Sequence, residues 1–337
     1  MTSSAVGGTA PTLEYQPTTP QAAPGGSSRA GLVMGLSAHA CWGLFPLYFH
    51  WLAHVPATLI LGHRFVHSAL AMLVIVTVTG TWGDVRRVAA DRRTLGLLVV
   101  TSVLISLNWL TFIYAVTHGR ALEAALGYFI SPLMIAMLGV VILRESLTRV
   151  QVICVVLAAV AVGVKAYGLG ALPWVSLFLP ASFGVFSLLR KVGRAGSQTA
   201  MAIETFVMLP VGLAYVGHVW ATADAGATGD RTAGSLALLS LSGLLTVVPL
   251  MLFGGAARRL RLVSLGFLQY VGPTIQLVIA VTLLGERFRP SDGLVFGLIW
   301  AALLLYTLDS VRRERDRRRS GRAAAGGGVV AGPGGSP

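Results

Sequence analysis

The chain has 337 residues, of which 55% are hydrophobic and only 12% are charged. A soluble globular protein carries about 25% charged residues, so this composition excludes an ordinary water-exposed surface. The formal charge of +13 lies mainly in arginine clusters between apolar stretches and in the C-terminal tail, which indicates membrane topology and argues against nucleic-acid binding. The apolar stretches are continuous rather than alternating, which favours transmembrane helices over a β-barrel.

The chain begins with residues 1–28, which contain no Lys or Arg and are predicted to be a disordered cytoplasmic tail. Residues 311–337 form a second disordered tail, basic and then glycine-rich, whose basic part is expected to lie against anionic headgroups. Between the tails are ten apolar stretches of about 20 residues, each long enough to cross roughly 30 Å of hydrocarbon as a helix. They cover residues 30–50, 57–79, 94–117, 121–143, 148–166, 172–190, 198–220, 233–255, 262–284 and 291–310.

The basic residues between these stretches predict the orientation. If the N-terminus is inside, 20 Lys and Arg residues lie on inner segments and 5 lie on outer segments. Cytoplasmic segments carry the excess of positive charge in membrane proteins, so both termini are predicted to be cytoplasmic. The sequence therefore predicts a multi-pass protein of the bacterial inner (plasma) membrane.

The two halves of the chain are related by an internal repeat with an offset of 141 residues. At this offset Pro132 aligns with Pro273, and Glu145 aligns with Glu286. Each half contains five stretches, an odd number, so the second half enters the membrane from the opposite side. The predicted fold class is an all-α polytopic membrane protein with ten transmembrane helices in two inverted five-helix repeats. The repeats cover residues 29–168 and 169–310.

Two related motifs lie at the fourth and ninth stretches, EAALGYFISP over residues 123–132 and SLGFLQYVGP over residues 264–273, and a glutamate follows each stretch. This pattern resembles the EamA-type drug/metabolite transporter superfamily. Other motifs resemble its RarD family, the chloramphenicol-sensitive proteins: WGLFPLYF over residues 42–49, His63-Arg64, Asn108-Trp109 and RRLRL over residues 258–262. The resemblance implies a ten-helix inverted-repeat fold, a plasma-membrane location and export or exchange of a small metabolite or drug.

Ionisable side chains inside the stretches are the first candidates for a substrate site, because each costs about 2.5–3.5 kcal/mol near the bilayer centre. Arg64 lies in the second stretch beside His63, and Glu204 is the isolated carboxylate of the seventh. The repeat relates Glu204 to His63. We expect Arg64 and Glu204 to face one central cavity and to pair directly or through the substrate. The alternative interpretation is a structural ion pair that locks two helices together.

Polar and aromatic residues of other stretches are further cavity candidates, namely Asn108, Tyr128, Gln269, Tyr270 and Gln276. Gln269 and Gln276 are seven residues apart and would share one face of a continuous helix. Pro132 and Pro273 each remove a backbone hydrogen bond and are candidate hinges. Glu145 and Glu286 are expected to cap helices or to contact a gate rather than to bind substrate.

The function favoured by the inverted repeat is secondary transport: export or exchange of a small metabolite or drug-like solute by alternating access. The alternatives are a passive channel or facilitator and a non-transporting membrane sensor. No catalytic motif or P-loop occurs, so no enzyme is predicted, and neither a cofactor nor a metal is expected. The predicted partners are the substrate and membrane lipid, without nucleic acid. Coupling to protons or a counter-substrate and assembly into a homo-oligomer are left open.

Overall fold

The computed structural model describes residues 26–143, 148–193, 195–222, 232–257, 259–260 and 262–326. These ranges contain helices and no strands. In chain order the helices are α1 (Gly26–Gly43), α2 (Phe45–Trp51), α3 (Ala57–Val78), α4 (Trp82–Ala90), α5 (Arg92–Thr117), α6 (Ala121–Leu143), α7 (Arg149–Leu169), α8 (Trp174–Val192), α9 (Ser197–Thr222), α10 (Ala233–Ala257), α11 (Leu262–Leu268), α12 (Val271–Thr282) and α13 (Pro290–Gly326).

Eight helical segments of the described chain are long and apolar enough to cross a membrane, and α1 and α2 together form the first of them over Arg29–Trp51. Eight of the ten predicted spans therefore have a matching segment of sufficient length. The sixth and ninth predicted spans contain shorter apolar helices, Trp174–Arg190 and Val271–Thr282, so their crossing remains a prediction. The protein is a multi-pass α-helical membrane protein.

Prolines account for two breaks in the predicted spans. Pro46, the second residue of α2, has no N–H to donate to the carbonyl one turn earlier, and α1 ends just before it. Pro273 in α12 likewise cannot donate to the carbonyl of Gln269, where α11 and α12 are separated. The prediction of one continuous helix over residues 262–284 is therefore wrong. Pro132, by contrast, lies inside α6, which is unbroken.

Two other parts of the structure differ from the sequence predictions. Helix α13 continues to Gly326, so the basic segment predicted to be disordered from residue 311 is helical over its first part. Helix α4 lies outside the predicted spans. Its Trp82 stacks on Phe206 of α9 with ring centroids 5.9 Å apart, which anchors α4 against the second half of the chain.

Helices of the two halves begin at positions 141 residues apart. The starts are Arg92 and Ala233 for α5 and α10, Ala121 and Leu262 for α6 and α11, and Arg149 and Pro290 for α7 and α13. The offset found in the sequence therefore also relates the starts of these helices.

Helices α3 and α9, which occupy related positions in the two halves, pack against each other in opposite directions. Near the start of α3, the hydroxyl of Thr58 lies 2.7 Å from the hydroxyl of Tyr215, late in α9. Just after the end of α3, the hydroxyl of Thr79 accepts a hydrogen bond from the side chain of Gln198, at the start of α9, at 3.0 Å. The two helices are therefore antiparallel.

Helices α7 and α13 form a second antiparallel pair of this kind. Lys165 near the end of α7 forms an ion pair with Asp292 at the start of α13, with Nζ 2.6 Å from Oδ1. Earlier in α7, the thiol of Cys154 donates to the carbonyl of Ala302 at 3.1 Å. Contacts between α7 and α13 thus extend from Asp292 to Ala302 along the first part of α13.

Helix α10 approaches α3 very closely at Gly243. A Cβ atom at this position would overlap the carbonyl group of His67, so a side chain there would force the helices apart. One turn later in α10 is Thr246, which this approach brings to Arg64 of α3. Gly243 therefore sets the distance between the two helices that carry the candidate site.

Candidate functional site

Arg64 on α3 is the centre of the candidate site, and only 4% of its surface is exposed. Its Nε donates a hydrogen bond to the hydroxyl of Thr246 at 2.8 Å. Its guanidinium carbon lies 4.1 Å from the ring centroid of Trp109 and 5.5 Å from that of Phe45. Thr246 donates its own proton to the carbonyl of Ser242, so it accepts from Arg64 as a neutral group. The cation is therefore held by aromatic faces and a hydroxyl.

Two tyrosines complete these surroundings. Tyr48 of α2 and Tyr128 of α6 are close enough to Arg64 for their side chains to interact with it electrostatically. The Tyr48 hydroxyl also donates to the carbonyl of Leu238 at 2.8 Å, and the Tyr128 ring lies 5.6 Å from that of Phe112. The structure thus brings together two residues predicted to line a cavity, Arg64 and Tyr128.

Glu204 does not pair with Arg64, so the prediction of a direct pair is wrong. The Glu204 carboxylate lies 3.2 Å from Nη1 of Arg190 and accepts a hydrogen bond from the Thr101 hydroxyl at 2.7 Å. Both carboxylate contacts are with residues on its own side of the bundle, at the end of α8 and the start of α5.

The antiparallel packing of α3 and α9 explains this difference. Arg64 and Glu204 are each the eighth residue of their helix. The 141-residue offset relates Glu204 to His63, the neighbour of Arg64, but because the helices run in opposite directions these related positions lie at different levels of the pair. Interpolated between the two contacts that join α3 and α9, the levels of Arg64 and Glu204 differ by about two turns, at a rise of about 1.5 Å per residue. An inverted repeat therefore places related residues at mirrored depths rather than at the same depth.

His63 and His67 lie one turn apart on α3 with their rings stacked at 5.7 Å. Nδ1 of His67 is 2.8 Å from the His63 carbonyl oxygen, whereas the buried Nε2 of His63 has no hydrogen-bond partner. No group of three or more His, Cys, Asp or Glu side chains within the described ranges is arranged to hold a metal ion. His63 thus keeps an unused polar atom inside the bundle.

Asn108 is buried and connects two helices. Its side-chain amide donates to the carbonyl of Leu179 and to the hydroxyl of Ser182, both at 2.9 Å. These bonds use the donors of Asn108 to hold α5 against α8. The structure therefore gives Asn108 a helix-packing contact and does not place it with Arg64.

The break between α11 and α12 separates the two glutamines that were predicted to share a face. Gln269 lies in the turn and is exposed, whereas Gln276 is buried and donates to the carbonyl of Trp42 at 3.0 Å. The Gln276 carbonyl oxygen has no partner. Tyr270 is half-buried. Neither Gln269 nor Tyr270 is brought to Gln276.

His39 of α1 is a buried titratable residue that the sequence analysis missed. Its ring lies 5.1 Å from that of Trp42 and 5.8 Å from that of Phe253, and its buried Nε2 has no partner. The rule that singled out Arg64, an ionisable group inside an apolar stretch, would have found it. His39 and Gln276 both contact Trp42, which places two unused polar atoms near one tryptophan.

Comparison with known proteins identifies the family of this chain. Residues 29–165 match the EamA-like transporter family. Protein RarD of Salmonella typhi is 38% identical over 292 residues, which cover 86% of this chain and 98% of the relative. The chain belongs to the RarD family of EamA-like transporters. The names of the family and of its members indicate a membrane transporter of the drug/metabolite superfamily.

Other relatives of this RarD-family protein are similarly complete matches. The uncharacterized transporter YojE of Bacillus subtilis is 38% identical, covering 86% of this chain and 97% of YojE. The chloramphenicol-sensitive protein RarD of Pseudomonas aeruginosa is 30% identical, covering 87% of this chain and 99% of the relative. One crystal structure shares the fold with a TM-score of 0.55 and 13% identity. The match covers 83% of this chain and 98% of the chain in that structure.

In this RarD-family transporter, Glu286 joins the two halves at one end of the bundle. Its carboxylate accepts hydrogen bonds from the backbone N–H groups of Ala121 and Leu122, at 2.5 and 2.9 Å. These are the first residues of α6, so the prediction that Glu286 caps a helix is confirmed. Burial raises the pKa of Glu286, although the two N–H groups oppose that shift. Glu145 lies outside the described residues.

A cavity of about 170 Å³ lies beside Glu286. We call its charged lining the loop cluster, which comprises Arg120, Glu123, Lys165, Glu286, Arg287, Arg289 and Asp292. Arg120 forms a two-point contact with Glu123, at 2.9 and 2.8 Å, and this hydrogen bonding raises the pKa of Arg120. Residues of both halves thus hold this end together through ionic contacts.

Proposed function

We propose that this chain is a secondary transporter that exports or exchanges a small metabolite or drug-like solute by alternating access. The observation that carries the proposal is the antiparallel packing of related helices, α3 against α9 and α7 against α13. When two similar halves lie inverted, exchanging their conformations opens the molecule to opposite sides at similar energy. A channel has no need of this exchange.

The proposed architecture has ten transmembrane helices in two inverted repeats, residues 29–168 and 169–310. The shared helix starts support this division, and α8 and α12 supply the two shorter crossings. The family match over residues 29–165 covers nearly all of the first proposed repeat.

The proposed substrate site surrounds Arg64. Trp109 and Tyr128 come from the first half, and Thr246 comes from the second, so a solute bound there would contact both. His63 and Gln276 keep buried polar atoms without partners and remain candidates for transient contacts. We propose helix-packing roles for Asn108 and Glu204 because their polar atoms already bond neighbouring helices.

Alternating access would require the two ends of the helix bundle to open in turn. The loop cluster closes the end that the charge distribution predicts to be outside, so opening there would break the bonds from Glu286 to α6. Pro132 and Pro273 are the proposed hinges, since each leaves one carbonyl of its helix without a backbone donor.

We propose a plasma-membrane location with both termini cytoplasmic. Arg92, the first residue of α5, would then be inside, and the exposed Leu172, between α7 and α8, would be outside. Replacing Cys41 and Cys154 with Ser and introducing Arg92→Cys or Leu172→Cys tests this in intact cells. An impermeant maleimide should label only Leu172→Cys, and the reverse pattern would invert the proposed topology.

Counterflow in proteoliposomes tests the transport mechanism. Separate batches of vesicles would be loaded with unlabelled carboxylic acids, amino acids, amines or nucleosides, and uptake of a labelled member of each class would be measured. A secondary transporter should give saturable uptake that depends on the unlabelled internal solute. Non-saturable flux that only dissipates the gradient would indicate a facilitator, and no flux with any class would contradict the proposal.

A further inference from the structure

Arg64 is a buried cation for which the described part of the chain supplies no acidic partner. Among the described residues, its side chain donates one hydrogen bond, to the neutral hydroxyl of Thr246 at 2.8 Å. The ion pairs among the described residues all involve other cations. A buried charge without a counter-ion is costly, and such residues in membrane proteins commonly mark a binding site or an ion path.

The second half of the chain contains a matched comparison. Phe45 and Phe186 are 141 residues apart, and each has a guanidinium beside its ring, Arg64 at 5.5 Å and Arg190 at 5.9 Å. Arg190 is neutralised by Glu204 at 3.2 Å. Arg190, the less buried arginine, thus has an acidic partner, whereas Arg64, the more buried one, has none among the described residues.

The contacts of the Arg64 guanidinium leave one edge of the group available for a ligand. Trp109 covers one face of the group, and Thr246 occupies the Nε–H. The edge formed by the two terminal amino groups remains, and this edge can bind both oxygens of one carboxylate. Ser68, one helical turn after Arg64, has a buried hydroxyl without a partner and is a second donor on the same face of α3.

We propose that the substrate of this transporter carries a single carboxylate, which binds the terminal amino groups of Arg64. This inference rests on the proposed transport function and assigns the substrate class. One guanidinium neutralises one negative charge, so a phosphate monoester, with a charge of about −1.5 to −2, would remain partly uncompensated. The rings of Phe45, Trp109 and Tyr128 suit an apolar or planar remainder of the solute.

Binding can be measured on the purified full-length protein by thermal unfolding and by titration. The probes are acetate, benzoate and 3-phenylpropionate, each paired with its neutral amide, together with benzylamine and phenyl phosphate. At least one carboxylate should raise the unfolding temperature, and its amide and the amine should not. In Arg64→Gln the affinity for that carboxylate should fall about tenfold to 100-fold.

Two further variants separate binding from folding. Arg64→Lys keeps the charge and should retain part of the carboxylate response, whereas Arg190→Gln removes the paired cation and should leave the affinity for carboxylate unchanged. An unliganded unfolding transition in each variant shows that it is folded. The proposal is overturned if no carboxylate binds, if amides bind as well as acids, or if Arg64→Gln retains full affinity.

Counterflow distinguishes this proposal from the transport proposal on which it rests. Saturable counterflow of a neutral or cationic solute that persists in Arg64→Gln would overturn the carboxylate assignment and leave the transporter intact. Carboxylate binding that requires Arg64, without counterflow of any solute, would instead overturn secondary transport and leave the anion site.

Discussion

Lys165 and Asp292 form a buried ion pair between α7 and α13, with 10% and 3% of their side chains exposed. The pair joins two helices that are related by the 141-residue repeat and that run antiparallel. It also lies in the loop cluster, beside the bonds between Glu286 and α6. An ionic contact therefore joins the two halves at one end of the bundle.

Replacing only one residue of the Lys165–Asp292 pair should destabilise the protein more than replacing both. Lys165→Met or Asp292→Asn alone should lower the free energy of unfolding by about 3–5 kcal/mol, because a buried charge loses its partner. The double variant Lys165→Met/Asp292→Leu should recover most of this loss. Chemical denaturation in detergent would measure the three values. A double variant as unstable as the sum of the single variants would contradict a simple buried pair.

Glu286 should make stability depend on pH. Burial raises its pKa above 4.5, so the folded protein favours the protonated form more than the unfolded chain does. Its contribution to stability is therefore fully present below pH 4.5 and is lost as pH rises through the folded pKa. The other charged residues that line the cavity remain unchanged in Glu286→Gln: Arg120, Glu123, Lys165, Arg287, Arg289 and Asp292.

The unfolding temperature should accordingly decline with rising pH more steeply in the wild-type protein than in Glu286→Gln. Calorimetry of both proteins between pH 4 and pH 8 gives the comparison. Arg289→Gln, which removes a positive charge beside the same cavity, is the control for a change of net charge in the opposite direction. If the unfolding temperature fell with pH equally steeply in both proteins, the pKa of Glu286 would be the same in the folded and the unfolded chain, which would contradict the prediction.

Gly243 should be intolerant of even the smallest side chain. Gly243→Ala places a methyl group against the His67 carbonyl and should destabilise the protein by about 1–3 kcal/mol, because α3 and α10 must separate. Gly254→Ala in the same helix is the matched control, since a Cβ there meets nothing within 4 Å. Thermal unfolding of the two variants tests the claim, and equal stabilities would contradict the close helix approach.

Asn108 should contribute to stability rather than to substrate affinity. Asn108→Leu removes the bonds to Leu179 and Ser182 and should cost about 1 kcal/mol, the usual size of a polar contact between membrane helices. Ser182→Ala, which removes one of the two bonds, should cost less. If Asn108→Leu instead abolished carboxylate binding and left the unfolding temperature unchanged, Asn108 would belong to the substrate site.

The sequence alone predicted the features that depend on hydropathy along the chain. Eight of the ten predicted spans have a matching helix of sufficient length, and the 141-residue offset recurs in the starts of α5 and α10, α6 and α11, and α7 and α13. These features follow from local composition, because a helix that crosses lipid must satisfy its own backbone and present apolar side chains. The motifs also placed the chain in the correct family.

Only the tertiary structure decided which polar groups meet. Arg64 and Glu204 are each the eighth residue of their helices, α3 and α9, yet antiparallel packing separates them and leaves Glu204 paired with Arg190. The break before Pro273 similarly left Gln269 exposed and Gln276 buried. Pairings of this kind depend on the depth, direction and approach of helices that are distant in sequence, and hydropathy along one chain contains none of those three quantities.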